Sequence, residues 1–529
     1  MSAPHSARTD LTLSQAIRAG AQAYPEREAL VMGDVRLTYR QLSQRVDALA
    51  AGLRELGVGS GDKVATILPT CAEGVCALIA PGAIDAVAVP LNPALRAHEV
   101  RHILADSGAK VLITVAEMFG HDYLQMIAAV RPALPTLRHV IIRDGASSVA
   151  RPAAGDLLAL SDVMARGRAA GWSESGTDPA VTACLIYTSG TTGAPKGAAH
   201  SHRNLLLIGD AVVELTGAEV WEVNLNPFPM FHIGGIALVL ITLFIGGKVV
   251  LMERFHPQQA LQAIAAEKVT FVGGAPTIYQ AMLAFPGSER YDLSSLRMIA
   301  ASAAPVPPTL IKALRDRARC AVLNGYGSTE AGLISVTSPD DPESLQLTTV
   351  GRPGPGVEVR IVEADRRDVP LGQPGEIATR APFIMQGYYN RQQETAEVMD
   401  EAGWYYTGDV GALDAQGYLR IFDRKRDMII RGGENVYPAE IEWFLTSHPA
   451  VQMAAVIGLP GTIGGEKVRA YVQPKEGAQV TPAELLGHCR GRIAAFKVPD
   501  EFHIVSELPL TPTRKVQKFK LREMALQES

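Results

Sequence analysis

At 529 residues the chain is long enough for roughly three or four folding units and for a large core that needs no disulfide or metal staple. Apolar residues make up 47% and charged residues 20%, and a net charge of −5 supplies no basic footprint for nucleic acid. The five cysteines (Cys71, Cys76, Cys184, Cys320 and Cys489) form no CxxC pair, which argues against a disulfide framework and a structural zinc site and fits a reducing cytoplasm.

The first residues, MSAPHSARTD, are polar, and no signal-peptide core is expected there. Thr38–Gly57 reads as an amphipathic helix: Tyr39, Leu42, Val46, Leu49, Leu53 and Leu56 recur at helical spacing, with Thr38 suited to cap its start and Gly57 its end. A strand is expected at Lys63–Leu68, a helix at Cys71–Ile84 and a strand at Ala86–Pro90. Helix and buried strand alternate to about residue 335, the pattern of parallel sheets covered by helices. The most apolar run, Ile233–Gly247, is shorter than the roughly 20 residues a membrane span needs and is read as a buried helix leading into a strand at Lys248–Met252; no transmembrane segment is expected.

Beyond about Val350 the pattern changes to short strands between Gly/Pro turns, at Val357–Val362, Glu376–Thr379 and Tyr418–Asp423. From about Asp427 a compact α+β unit of about 100 residues is expected. It has helices at Pro438–Ser447 and Pro482–Phe496 and strands at Val451–Ile457 and Lys467–Gln473. The expected fold class is α/β, with stacked parallel-rich sheets and helices, a small β-barrel-like subdomain and a mobile α+β C-terminal domain.

One stretch carries chemistry on its face. Tyr187–Gly197 (YTSGTTGAPKG) follows an apolar run and contains three glycines, the hydroxyls of Thr188, Ser189, Thr191 and Thr192, and Lys196. Gly190 and Gly193 let backbone N–H groups approach phosphate, the hydroxyls add donors, and Lys196 adds a point charge. A generic stretch of this composition is a surface turn, and the spacing is not that of a Walker A loop.

The stretch resembles the phosphate-binding signature of the superfamily of acyl- and aryl-CoA synthetases, peptide-synthetase adenylation domains and firefly luciferase. The resemblance continues in order through MFHIGG (Met230–Gly235), NGYGSTE (Asn324–Glu330), YTGD (Tyr406–Asp409), DRKRDMIIRGGENVYPAEIE (Asp423–Glu442) and PLTPTRKVQK (Pro509–Lys518). It implies an AMP-binding domain over residues 1–423, with its β-rich part at about 350–423. A hinge at 424–428 and a C-terminal lid at 429–529 complete the arrangement.

The implied chemistry is an ATP-dependent acid:CoA ligase reaction. A carboxylate attacks the α-phosphate of ATP to give acyl-AMP and pyrophosphate, and the thiol of coenzyme A then displaces AMP. Such chemistry depends on positioning and charge neutralisation rather than on a protein nucleophile. By resemblance, Thr329 hydrogen-bonds the α-phosphate and Glu330 holds Mg²⁺, a hard cation that takes oxygen ligands. Gly325, Tyr326, Gly327 and Ser328 form the adenine segment, with Ala303, Ala304 and Pro305 on its other side. Asp409 accepts from the ribose hydroxyls, as a carboxylate suits a diol, and Arg424 reaches the nucleotide. Lys515 is the implied catalytic lysine, bridging two anions that must meet. His232 lines the acyl pocket and gates the thiol tunnel, which Gly432 and Gly433 border. His200 and His202 alternate along the chain, with no third metal ligand evident.

Three positions depart from the family pattern: Asp423 where glycine is usual, Arg426 where the pivot is usually Asp or Lys, and Arg514 where glycine usually precedes the catalytic lysine. The motif-adjacent residues Met230, Ile233, Gly273, Gly274, Ala301, Gly325, Gly332 and Leu333 carry no charge, so an apolar acid, fatty or aromatic, is expected. Gly325 and Gly332 are read as making room for it. The expected partners are a small carboxylic acid, ATP and CoA, with a homodimer as the oligomeric expectation. The other readings are a stand-alone enzyme loading a carrier protein and a nucleotide-binding regulator that has lost catalysis.

Overall fold

The computed structural model describes residues 10–144, 157–171, 178–188, 195–216, 222–425, 427–431, 434–460, 466–510 and 516–527. It is an α/β structure with two large sheets, a smaller antiparallel sheet and a C-terminal α+β unit. The amphipathic pattern after Thr38 becomes the helix Tyr39–Glu55, opened by a capping box in which Thr38 and Gln41 satisfy each other's backbone N–H. Its apolar face is fully buried at Leu42, Leu49 and Leu53. The expected helix over Cys71–Ile84 is two elements, an α-helix at Ala72–Ile79 and a 3₁₀ turn at Ala80–Ile84, with Pro81 at the changeover.

One sheet has nine strands, and in its middle Val223–Asn226, Phe271–Gly274, Met298–Ala301 and Ala321–Ser328 run parallel to one another. The other has eight strands, with Thr182–Thr188 and Lys196–Ser201 paired antiparallel at one side. The apolar run forms the helix Ile233–Phe244, buried over most of its length, followed by the strand Lys248–Leu251. Among the described residues no helix is long and apolar enough to cross a membrane.

The β-rich subdomain is a four-stranded antiparallel sheet of Glu358–Val362, Gly375–Arg380, Tyr405–Leu413 and Leu419–Arg424. In the C-terminal unit the helix expected to reach Phe496 stops at Cys489. Arg490 leaves helical geometry there and Gly491 takes a φ of +71°, a turn that a helix cannot continue through. Val451–Pro460, Glu466–Pro474 and Glu501–Ile504 form the unit's sheet, and the helix Lys518–Gln527 packs on it.

Candidate active site

The motif residues gather at the carboxyl ends of parallel strands, where ligands of open α/β sheets bind. Ala301 and Asn324 are register partners on adjacent strands, so Ser302–Pro305 leaves its strand beside Gly325–Ser328, which continues the neighbouring strand. Ala303 holds φ at +69°, an uncommon conformation for a residue with a β-carbon, so backbone strain is concentrated in this loop. The second strand turns back through an antiparallel pairing of Ser328 with Gly332, which puts Thr329 and Glu330 at the tip of the turn. The Ser328 hydroxyl accepts from Ala331 N at 3.1 Å and tightens that turn.

The tip is held from outside. The Thr329 carbonyl accepts from His200 Nε2 at 2.8 Å. The Glu330 carbonyl accepts from Met385 N at 2.7 Å. The Glu330 carboxylate accepts at Oε1 from the Tyr388 hydroxyl at 2.9 Å. Its second oxygen and the neighbouring hydroxyl of Thr329 are oxygen donors of the kind a hard cation takes, so the residues present fit Mg²⁺.

Asp409 joins this group from the four-stranded sheet. Its Oδ2 accepts from the Tyr326 hydroxyl at 2.6 Å, and its Oδ1 pairs with Arg424 Nε at 2.7 Å, its register partner across the sheet. Burial, followed by the Asp409 charge, pushes the Tyr326 hydroxyl well above its ordinary range, so it donates and stays neutral. Burial works against the Arg424 charge, but the Asp409 carboxylate, with a smaller contribution from Glu330, outweighs it and holds the guanidinium charged.

Thr188 and Lys196 pair at the two ends of the segment expected to bind phosphate, and Lys196 Nζ lies 5.3 Å from the centre of the Tyr388 ring. Ser189, Gly190, Thr191, Thr192 and Gly193 lie outside the described residues. Below the loop, the Tyr187 hydroxyl donates to Asp106 at 2.7 Å, and Arg391 pairs with the other oxygen of Asp106.

His232 sits at the start of the helix Ile233–Phe244, half-buried, with its ring centre 4.4 Å from that of Phe231. The helix start packs so closely on Pro229 that a β-carbon at Gly235 would come within 2.3 Å of the Pro229 carbonyl oxygen. Fully buried Asn226 orders the segment, accepting from Phe228 N at 3.3 Å and donating to the Gly235 carbonyl at 3.4 Å. The expected room at Gly332 is a correction: Ile208 and Phe383 fill it, at 2.9 and 3.2 Å from where a β-carbon would stand. At Gly325 a β-carbon would meet Leu333, Ser302 and Val336 at ordinary contact distance, 3.6 to 3.7 Å, so the position tolerates a methyl group.

The strand ending at Arg424 leads into the small unit through a charged crossing. Asp423, the departure from glycine, accepts from Arg424 N and from Ala439 N, each at 2.7 Å, and so ties that strand to the first turn of the helix Pro438–Thr446. Lys425 pairs with Glu376 at 2.8 Å, Asp427 with Arg522 at 3.0 Å, and Lys518 with Glu442 at 2.8 Å. Lys515, Arg514, Arg426, Gly432 and Gly433 lie outside the described residues. The segment holding Lys515 is bounded by a bridge between Leu510 and Val516 and by Gln517 N donating to the Pro509 carbonyl at 2.8 Å.

His200, Tyr388, Asn226 and the Tyr187–Asp106–Arg391 group were not singled out for these contacts in the sequence reading. Their partners lie far off in the chain, and no local pattern announces them.

Residues 17–389 match the model of the AMP-binding enzyme family, and residues 440–515 match the AMP-binding enzyme C-terminal domain. The chain belongs to the AMP-binding enzyme family. It is 38% identical over 503 residues to a feruloyl-CoA synthase of Amycolatopsis sp, covering 95% of this chain and 96% of that one. It is 34% identical over 547 residues to the mitochondrial medium-chain acyl-CoA ligase ACSF2 of Homo sapiens, covering 97% and 87%. Among solved structures, the anthranilate CoA ligase AuaEII in complex with anthranoyl-AMP superposes with a TM-score of 0.90 at 28% identity, over 99% of both chains. By these relationships the chain is an AMP-forming acid–thiol ligase.

Proposed function

We propose that this enzyme activates an apolar carboxylic acid with ATP and passes the acyl group to the thiol of coenzyme A, in the cytoplasm. The observation that carries the reading is the convergence of Thr329–Glu330, Tyr326 and Asp409 at adjoining strand ends, beside the strained Ser302–Pro305 loop. The cytoplasm is supported by five cysteines that are all free.

Asp409 presents its buried carboxylate to the ribose hydroxyls, with Tyr326 and Arg424 fixing both of its oxygens. The adenine lies between the Gly325–Ser328 segment and Ala303–Pro305. Thr188, Ser189, Gly190, Thr191, Thr192, Gly193 and Lys196 cradle the phosphates. Thr329 donates to the α-phosphate. Glu330 would hold Mg²⁺, which would supply positive charge against the phosphate oxygens.

The substrate carboxylate oxygen bonds to the α-phosphorus as the bond to pyrophosphate breaks. Lys515 lies between the two anions and offsets their repulsion. The thiol, having lost its proton, then bonds to the acyl carbon, and AMP leaves with the oxygen. His232 borders the acyl pocket, while Gly432 and Gly433 border the thiol's path. A rotation about Arg426 exchanges the Lys515 loop for that path between the two steps.

An aromatic acid is the first choice of substrate. Leu333 and Val336 border Gly325 with apolar atoms, and the relative at 38% identity is a feruloyl-CoA synthase. A medium-chain fatty acid is the second, favoured by the acyl-CoA ligase relative at 34% identity. Pyrophosphate release across a panel of aryl and fatty acids, with and without CoA, tests the reading. Release with an aryl acid, and thioester when CoA is added, is expected. Release without a CoA thioester would point to carrier-protein loading, and no release with any acid would leave a nucleotide-binding regulator.

A further inference from the structure

The strand Lys196–Ser201 is the middle of a three-strand ribbon. On one side it pairs with Thr182–Thr188, and on the other Ala198 pairs with Tyr388 and Ala199 with Gly387. Side chains alternate along a strand, so Lys196, Ala198 and His200 share one face, and Tyr388 stands on that face as the partner of Ala198. Three contacts rise from it. Lys196 lies over the Tyr388 ring, the Tyr388 hydroxyl donates to the Glu330 carboxylate, and His200 Nε2 reaches the Thr329 carbonyl. Lys196 and His200 are about 13 Å apart at strand rise. One short rigid ribbon therefore holds the base of the phosphate loop at one end and the Thr329–Glu330 tip at the other.

The chemistry of His200 is fixed by its surroundings. A carbonyl only accepts, so Nε2 carries the hydrogen. The ring is fully buried, and its Nδ1 meets no hydrogen-bond partner among the described residues. A proton on Nδ1 would be a buried, unpaired charge, so the imidazole is neutral. Consistent with that, burial lowers its pKa to about 4, and the bond to Thr329 only partly offsets the effect.

The strand ends one residue later in a reciprocal cap. Asn204 accepts from Ser201 N at 3.0 Å, and Ser201 Oγ accepts from Asn204 N at 3.0 Å, which fixes the strand's register and hence the height of the imidazole. An apolar residue here would remove the unmade acceptor at Nδ1 and lose the bond to the half-buried Thr329 carbonyl, two changes that offset each other. Fold stability is therefore a poor account of a histidine at this place.

We propose that His200 is a positioning residue for the adenylation step, locking the Thr329–Glu330 tip to the strand that carries the phosphate loop. This rests on the functional reading above. The bond is to the backbone carbonyl of Thr329, so it sets where the Thr329 hydroxyl and the Glu330 carboxylate stand relative to the triphosphate. Displacement of such groups by about 1 Å costs on the order of a hundredfold in rate.

The test compares His200→Met, which fills the volume without a donor, with His200→Gln, whose amide nitrogen reaches near the Nε2 position. The readouts are ATP–pyrophosphate exchange, thioester formation from supplied acyl-AMP and CoA, and melting temperature. His200→Met should lose about ten- to a hundredfold in exchange kcat, keep the KM for the acid, and form thioester from supplied acyl-AMP within about twofold of wild type. Its melting temperature should be unchanged or higher, and His200→Gln should recover exchange to within about threefold.

Full exchange in His200→Met would overturn the proposal, as would a glutamine variant no better than the methionine one, or equal loss of both half-reactions. Should the methionine variant not fold, His200→Asn replaces it, an amide one methylene too short to reach Thr329. Exchange in the asparagine variant equal to that of the glutamine variant would overturn the proposal. Wild-type enzyme with no exchange on any acid would instead sink the functional reading, and the inference with it.

Discussion

The strand-end site and the crossing into the small unit are built by opposite means. At the strand ends, position comes from the sheet: parallel register sets Ser302–Pro305 beside Gly325–Ser328, and buried neutral groups such as Tyr326, Tyr388 and His200 fix the polar atoms. At the crossing, position comes from charge. Asp423 reaches Ala439 N in the small unit, Lys425 pairs back to Glu376 of the four-stranded sheet, Asp427 pairs forward to Arg522, and Lys518 pairs with Glu442 deeper in the small unit. A buried hydrogen-bonded frame has one arrangement. Ion pairs at a boundary can be exchanged for water or for other partners at small cost. The first region therefore suits a site that must not move, and the second suits the rotation proposed above.

Changes that break this division should have graded effects. Lys515→Ala, in the lid, should cut acyl-AMP formation by on the order of a hundred- to a thousandfold and leave turnover of supplied acyl-AMP largely intact. Pyrophosphate release measured in that variant checks the claim, and unchanged release would remove Lys515 from its role.

Arg426→Pro should lower thioester formation by about tenfold or more while adenylation stays within about threefold, because proline fixes the φ that a rotation must change. Measuring each half-reaction separately decides it, and equal loss in both would count against a pivot there.

Asp423→Ala removes an acceptor from the first turn of the helix Pro438–Thr446 and should cost about 1 kcal/mol in stability. It should also change the ratio of the two half-reaction rates, since the bond joins the large sheet region to the small unit. A thermal melt and the two partial assays report these together.

Between about pH 6 and 7 the smallest effect belongs to the rigid region. His200 and His202 have pKa values lowered from 6.5 to about 4 by burial. Below 6.5 the unfolded chain takes up protons that the folded chain refuses. The stability is therefore present in full above 6.5 and is lost as pH falls toward 4. Melting temperature should be flat above about pH 7 and decline below about 6. His200→Gln should flatten part of that decline.

The same contrast governs what could be read from the sequence. Thr38 with Gln41, the helix within Ile233–Gly247 and the strands at Lys63 and Lys248 are local, so periodicity and caps announce them. The ordered motifs were legible because the chemistry confines them to short stretches. The supports were not. His200 meets Thr329 across 129 positions and Tyr388 meets Glu330 across 58. Gly332 looked like empty space because Ile208 and Phe383, which fill it, come from elsewhere in the chain. Asp423 departs from the family pattern, and its partner Ala439 N lies 16 positions on, where no local signal marks it.

The central claim is that one active site makes an acyl-adenylate and then consumes it. The most direct measurement mixes enzyme, α-labelled ATP and an aryl acid without CoA in a single turnover, quenches, and then repeats with a CoA chase. The account predicts labelled acyl-AMP that accumulates without CoA and converts to AMP and thioester on the chase. Labelled ADP, or AMP released with no adenylate at any time, would contradict it.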